Sequence, residues 1–218
     1  MKTRILLIMS LLMIHFIHAQ DSLNIQKTRL IALTPLNKKT DKVNGLAVGL
    51  GYDTKYNRIE LQKVNGLNLE VNPIGFLFWM FYDPAKVQNT EFLEINGLNI
   101  SAAGYLRGVS HNGVSISMYN YGHTMNGISG TLLTTYIETG NGFFVSAFGV
   151  YAKELNGMSI SVFNDAEIMK GIQLGGYNSG EEVRGLQIGF VNKSKKLKGL
   201  QIGLWNKNGK RSLPIINF

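Results

Sequence analysis

The chain has 218 residues, of which 44% are hydrophobic and 17% charged, and its formal net charge at pH 7 is +8. This apolar content is enough for a folded core and excludes an intrinsically disordered chain. The sequence contains no cysteine, which excludes a disulfide framework and a lipid anchor on cysteine. The moderate positive charge permits binding to anionic glycans or lipid phosphates without requiring nucleic acid as a partner.

The N-terminus has the pattern of a secretory signal peptide. Two basic residues precede an almost unbroken apolar run from Ile5 to Ile17, and Ala19 offers a small residue for cleavage. The run is too short for a transmembrane helix, and polar sequence follows it at once. We therefore predict that residues 1–19 are a signal peptide and that the protein is exported to the outer membrane or cell surface, with the periplasm as the alternative.

A glycine recurs along the rest of the chain at intervals of 14 to 16 residues, with two longer intervals. The last two copies of the repeat, GLQIGFVN and GLQIGLWN, are nearly identical. The glycines that open the units are Gly45, Gly66, Gly97, Gly113, Gly127, Gly142, Gly157, Gly171, Gly185 and Gly199. A period this short indicates a stack of small structural units. We number each unit from its glycine, so that +1 is the next residue and −1 the preceding one.

The repeat defines the predicted organisation of the chain. Residues 44–206 form the repeat domain, with insertions near 53–62 and 73–90, where the interval between glycines is longer. Residues 20–43 are predicted to be an N-terminal cap or lead-in strand. Residues 207–218, where the pattern breaks, are predicted to be a C-terminal cap.

Apolar and polar residues alternate after each glycine. In the unit GLQIGFVN, positions +1, +3 and +5 are Leu186, Ile188 and Phe190, whereas Gln187 stands at +2. A period of two predicts a β-strand with one buried face. We expect the apolar side chains to be buried and the Gln and Ser side chains at +2 and +4 to be exposed. A further apolar residue two positions before each glycine predicts a second inward-facing strand, and the chain is predicted to be all-β.

The asparagine at +7 favours a β-solenoid of about ten 14- to 15-residue units. Asn178, Asn192 and Asn206 occupy this position in three successive units. In a solenoid the same residue stacks on itself at about 4.8 Å and can form an amide ladder. The alternative is an outer-membrane up-and-down β-barrel, which the terminal aromatic Phe218 favours. However, an apolar stretch of about 14 Å is shorter than the band of about 25 Å that such barrels present to lipid.

One segment outside the repeat, residues 74–82, is almost entirely aromatic and aliphatic. Such a segment is a candidate membrane or partner patch, and the alternative is that it covers the solenoid core. The candidate residues are Phe76, Phe78, Trp79, Phe81 and Tyr82.

The residues give no pattern of a catalytic or cofactor site. His111 and His123 lie near unit corners without metal-ligand spacing, and we expect them to be solvated. No nucleophile elbow occurs, and among the +2 and +4 positions only Glu70 is acidic. The sequence therefore predicts a protein that is not an enzyme and holds no cofactor or metal.

The units from Gly171 to Asn206 resemble a bacterial surface-repeat family, in which GLQIGLxN recurs every fourteen residues. The resemblance implies an exported, surface or outer-membrane associated protein and supplies no catalytic residues. The repeat glycines Gly171, Gly185 and Gly199 and the three asparagines at +7 carry it.

These observations predict an exported, non-catalytic surface repeat protein of the cell envelope, structural or adhesive in role. Its Gln/Ser face and its lysine-rich corners would bind envelope polysaccharide, lipid phosphates or another envelope protein, and membrane association is possible. The alternatives are an integral β-barrel that passes solutes and an enzyme acting on envelope glycans, which would depend on Glu70.

Overall fold

The computed structural model describes residues 28–37, 39–51, 61–72, 75, 77, 81, 91–106 and 108–218. The predicted signal peptide lies outside these residues, as do most of the two predicted insertions. The strands are β1 (Thr28–Thr34), β2 (Lys42–Gly49), β3 (Gln62–Glu70), β4 (Leu93–Tyr105), β5 (Val109–Thr131), β6 (Thr134–Ser146), β7 (Gly149–Lys207) and β8 (Ser212–Asn217). They form one sheet in chain order, from β1 to β8.

Neighbouring strands from β1 to β7 pair in parallel. The repeat glycines are in register: Gly45 pairs with Gly66, and Gly66 with Gly97. The 59-residue strand β7 contains several successive turns of the chain, each of which we call a coil. Parallel, in-register stacking confirms the predicted all-β solenoid, because an up-and-down barrel would pair its neighbouring strands antiparallel.

The repeat glycines allow the coils to approach each other closely. Gly185 has a φ of 143°, in a region that L-residues rarely adopt. A Cβ atom at this position would overlap the carbonyl oxygen of Gly171 in the preceding coil. The same overlap would occur at Gly199 against Gly185. Glycine is therefore required at the start of each coil both by backbone conformation and by space.

The predicted assignment of the two strand faces is wrong. Gln187 at +2 is 0% exposed, whereas Ile188 is 38% and Phe190 68% exposed. The polar residues at +2 point into the coil along the whole stack, and the apolar residues at +1, +3 and +5 point outward. The buried residues at +2 include Asn68, Asn99, Ser115, Ser129, Ser159, Gln173, Gln187 and Gln201.

In the last coils, two ladders of side-chain amides satisfy the buried Gln side chains at +2 and the buried Asn side chains at +7. The Gln187 amide donates to Gln173 Oε1 at 2.7 Å, and the Gln201 amide donates to Gln187 Oε1 at 2.7 Å. Asn178 donates to Asn192 at 2.8 Å, and Asn192 donates to Asn206 at 2.7 Å. The predicted line of asparagines at +7 is therefore confirmed. Burial without such partners would cost about 1–3 kcal/mol for each amide group.

The apolar core includes a row of side chains two positions before most of the repeat glycines, and it also contains Phe144 at +2 and Ile137, Ala152 and Ala166 five positions before a glycine. This predicted inward row is confirmed: its members are buried and packed in two clusters. They include Val43, Val64, Ile95, Met125, Leu155, Met169 and Val183. The interior thus combines these apolar side chains with the amide ladders.

The strand β8 closes the C-terminal end of the stack. It pairs antiparallel with the last coil, with Asn217 opposite Gln201. The Asn217 amide donates to Gln201 Oε1 at 3.0 Å, so it provides the donor that a further coil would otherwise supply. At the other end, β1 pairs in parallel with β2. In the described part of the chain, no helix reaches the length and apolarity needed to cross a bilayer.

We expect Gln187→Ala to destabilise the protein by about 3 kcal/mol or more, because it leaves a cavity and removes one partner from Gln173 and one from Gln201. Ile188→Ala, on the outward side of the same strand, should cost only about 1 kcal/mol. Denaturant unfolding of the two variants measures the difference. A larger loss for Ile188→Ala would contradict the observed faces.

We expect Gly185→Ala to cost at least about 3 kcal/mol, because the new Cβ meets the preceding coil in a disfavoured backbone region. Gly130→Ala is the matched control, since a Cβ there has no heavy atom within 4 Å. The control should change the free energy of unfolding by less than about 0.5 kcal/mol. Equal effects in thermal melts would show that the coils are not stacked as described.

Candidate functional site

The outward side chains at +1, +3 and +5 form a continuous apolar surface, which we call the apolar face. It exists because the ladders hold +2 and +4 inward, so strand alternation forces their neighbours outward. Its members run from the unit of Gly45, with Leu50 at +5, to that of Gly199. Its exposed members include Leu50, Val71, Ile100, Ile116, Ile128, Leu132, Val162, Ile188, Phe190 and Leu204, at 38% to 71%.

The apolar face is large for a protein surface. Ten units at about 4.8 Å per coil extend roughly 48 Å along the stack, and the stretch from +1 to +5 is about 14 Å wide. The product, roughly 700 Å², exceeds the largest apolar patch of a typical monomer. Surfaces of this size mark binding sites for proteins, membranes or other apolar ligands.

A groove crosses the apolar face in its last three coils. Gly176 stands at +5, where neighbouring coils carry Val162 and Phe190, and its missing side chain opens a gap between them. The groove has a volume of about 620 Å³. Its lining is apolar and includes Leu174, Ile188, Phe190, Ile202, Leu204 and Ile215.

Ile215 forms the C-terminal wall of the groove in a strained conformation. Its φ is 66°, in the left-handed region that β-branched residues rarely adopt. The pairing of β7 with β8 is irregular between Gly203 and Asn206, next to Ile215. Ile215 is 70% exposed. This residue therefore combines an unfavourable backbone conformation with an apolar side chain that is exposed to solvent.

Basic residues flank the apolar face on both edges at its C-terminal end. The −1 position carries Lys170, Arg184 and Lys198, and the +8 position carries Lys193 and Lys207. Lys170 pairs with a glutamate Oε1 at 2.6 Å, and Arg184 with another at 2.7 Å. In the described part of the chain, Lys193, Lys198 and Lys207 form no ion pair. We call these five residues the basic edges.

Toward the N-terminal end, the −1 position carries a third amide ladder that the sequence reading missed. Each asparagine of this row donates to the one before it at 2.7 or 2.8 Å. The members are Asn44, Asn65, Asn96, Asn112, Asn126, Asn141 and Asn156. From the sequence we inferred only that Asn-Gly pairs favour a positive φ. The recurrence of asparagine at −1 in seven units was the signal that could have predicted the ladder.

Away from the apolar face, the outer surface is charged. At +10 and +11 the side chains are mainly Glu and Lys, with Ile168 as an exposed exception. An ion pair joins Lys195 to Glu181 in the preceding coil, and Lys153 binds Glu138 at 3.2 Å. Exposed pairs of this kind contribute little stability. Each coil is therefore apolar on one outer stretch and charged on the other.

Glu70 is an acidic side chain inside the stack. It is 3% exposed, and burial raises its pKa to about 7 although Tyr105, Asn68 and Thr34 hydrogen-bond to it. His111 occupies the inward row two positions before a glycine and is 3% exposed. The prediction that His111 is solvated is therefore wrong, and burial lowers its pKa to about 4.

The other residues singled out in the sequence are placed as follows. His123 is partly exposed, and its Nδ1 lies 2.9 Å from Glu138 Oε2. Phe81 of the aromatic segment is 84% exposed, and the remaining candidates, Phe76, Phe78, Trp79 and Tyr82, lie outside the described residues. Within the described ranges, no three His, Cys, Asp or Glu side chains come close enough to hold a metal ion.

Comparison with family models, curated proteins and solved structures gave no match to this chain. The choice between functions therefore depends on the geometry of the molecule itself. The apolar face is the largest surface feature of the described residues that fold stability does not explain, because the amide ladders and the inward apolar row form the core without it.

We expect Glu70→Gln to stabilise the protein relative to wild type at high pH. The folded-state pKa is raised, so the stability that Glu70 contributes is present below about pH 4.5 and is lost as the pH rises through about 7. As the pH rises from about 4.5 to about 7, the difference in unfolding free energy should shift by about 3 kcal/mol in favour of the variant and then stay constant. Urea unfolding of both proteins across this range measures the gain.

His111→Leu provides the opposite control. The folded-state pKa of His111 is lowered, so its contribution is present above about pH 6.5 and is lost as the pH falls through about 4. This variant should therefore gain over wild type at low pH. A pH-independent difference for Glu70→Gln would mean that Glu70 is solvated.

Proposed function

We propose that the protein is an exported, non-catalytic structural and binding module of the cell envelope that attaches through its apolar face. The observation that carries the proposal is this face, an exposed apolar surface that runs along the stack. Leaving roughly 700 Å² of such surface in water is unfavourable. Covering it with a partner in the envelope removes this cost.

The repeat supports a binding role without a single pocket. Each coil presents the same three apolar positions at a spacing of about 4.8 Å, so the contacts of many coils add along one partner surface. The amide ladders and the inward row stabilise each coil independently of that contact. Such a module would bind its partner through one side of the stack, the apolar face.

The binding surface differs from the one that the sequence suggested. An adhesive Gln/Ser face cannot meet a ligand, because Gln187 and Gln201 are 0% exposed and bonded to each other. We therefore assign contact with the partner to the apolar face. The lysines at +8 remain exposed beside it and are available for anionic groups.

A role in glycan hydrolysis is less well supported by the geometry. It requires two carboxyl groups on either side of a bound sugar. Glu70 lies in the coil interior, 3% exposed, and its hydrogen-bond partners are Tyr105, Asn68 and Thr34. A polysaccharide chain cannot reach this carboxyl group without unfolding the coil.

The proposal predicts that an exported wild-type chain fractionates with the cell envelope and that a polar substitution in the apolar face releases it. Ile188→Ser is the test variant. Ile168→Ser is the matched control, because Ile168 is 37% exposed and Ile188 38% exposed, and only Ile188 belongs to the apolar face. Both variants should keep the wild-type thermal stability to within about 1 kcal/mol.

Quantitative blotting of soluble and envelope fractions measures the distribution. We expect the soluble share to rise several-fold for Ile188→Ser and to stay at the wild-type value for Ile168→Ser. Wild-type protein found only in the soluble fraction would contradict the proposal, and so would equal release of the two variants.

A further inference from the structure

We propose that the apolar face and its basic edges bind the surface of an anionic lipid bilayer, with the C-terminal coils inserted deepest. This inference rests on the proposed function and names its partner. It combines three features of the same end of the molecule: the highly exposed side chains of Phe190 and Leu204, the groove at Gly176 and the basic edges.

The backbone of the apolar face is suited to an apolar environment. Buried peptide groups need hydrogen-bond partners, and lipid provides none. In this solenoid the coils satisfy each other along the stack, because neighbouring strands from β2 to β7 pair in parallel and β8 pairs with the last coil. The apolar face therefore presents side chains to whatever covers it, and among the described strands only the end strands, β1 and β8, leave an open edge.

The side chains at the C-terminal end have the composition of a membrane-interface surface. Phe190 is 68%, Leu204 71% and Trp205 52% exposed. Aromatic and aliphatic side chains of this kind insert at the boundary between headgroups and acyl chains. The groove between them, about 620 Å³ in volume, gives acyl chains room to enter the surface.

The basic edges supply charge complementarity to anionic headgroups. Lys198 stands on one edge, and Lys193 and Lys207 on the other, and none of the three has an ion pair in the described part of the chain. A lysine near an anionic bilayer strengthens binding about fivefold. When the apolar face inserts into the bilayer, the cations on its two edges lie beside the anionic headgroups that surround it.

A second copy of the chain fits this surface less well. If two copies packed apolar face against apolar face with their stacks running in the same direction, the basic edges of one copy would lie against those of the other. In the opposite direction, Lys198 and its neighbours would meet the asparagine row of the partner, from Asn44 to Asn156, which offers no negative charge. Neither arrangement neutralises the basic edges, whereas anionic lipid does.

The test is co-sedimentation of the exported chain with lipid vesicles. One set of vesicles contains phosphatidylcholine alone, and the other contains phosphatidylglycerol as well. We expect the wild-type protein to bind the anionic vesicles more tightly. Ile188→Ser should weaken binding to them about tenfold, and Ile168→Ser should leave it unchanged.

The charge contribution is tested with Lys193→Gln and Lys207→Gln. Each should weaken binding to the anionic vesicles about fivefold without changing binding to phosphatidylcholine. Lys195→Gln is the control, because Lys195 lies at +10 and pairs with Glu181. An equal loss for the control, or no dependence on phosphatidylglycerol, would overturn the inference.

The outcomes separate this inference from the proposed function. If Ile188→Ser releases the protein from envelopes but wild type binds neither kind of vesicle, the envelope role stands and lipid is the wrong partner. A dimer in sedimentation velocity that Ile188→Ser abolishes, without vesicle binding, would assign the face to a second copy. Vesicle binding by a protein that is soluble in cells would support the lipid inference and contradict the envelope role.

Discussion

The ladder of buried side-chain amides is the interaction on which the rest of the structure depends. From Asn164 to Asn206, the Gln side chains at +2 and the Asn side chains at +7 bond to their equivalents in neighbouring coils, so a polar side chain can be buried without losing its hydrogen bonds. Once these positions point inward, strand alternation fixes the direction of every neighbour. The outward apolar face is a consequence of the inward ladder.

The inward side chains also explain why glycine and serine recur. Gly189 at +4 has no room for a Cβ atom, because the Gly175 carbonyl and the Asn178 amide already fill the space. Ser161 stands at the equivalent position of an earlier coil and is buried. In the last coils, amide side chains fill +2 and glycine occupies +4, so the apolar residues at +1, +3 and +5 have only the outer surface left. Stability and binding are therefore assigned to opposite sides of the same strand.

The fourteen-residue period, the parallel stacking and the asparagine line could be predicted from the sequence, because each depends only on which residue recurs at which interval. The direction of the faces could not be predicted from alternation, since a period of two is the same whichever side is buried. Hydrophobicity favoured burying Ile188, and that expectation failed because Gln187 finds its partners in the stack. The small residue at +4 was the available signal, since an outward position would tolerate any size. The basic edges were visible as a lysine run, but their place beside an apolar surface required the fold.

The most direct test of this account is the solvent accessibility of adjacent residues in one strand. The chain has no natural cysteine, so single cysteines at Gln187 and at Ile188 can each be labelled with a maleimide in the folded protein. The account predicts rapid labelling of Ile188→Cys under native conditions and labelling of Gln187→Cys only after addition of denaturant. Rapid labelling of Gln187→Cys with protection of Ile188→Cys, in a protein that remains folded by circular dichroism, would contradict the inward ladder and the apolar face together.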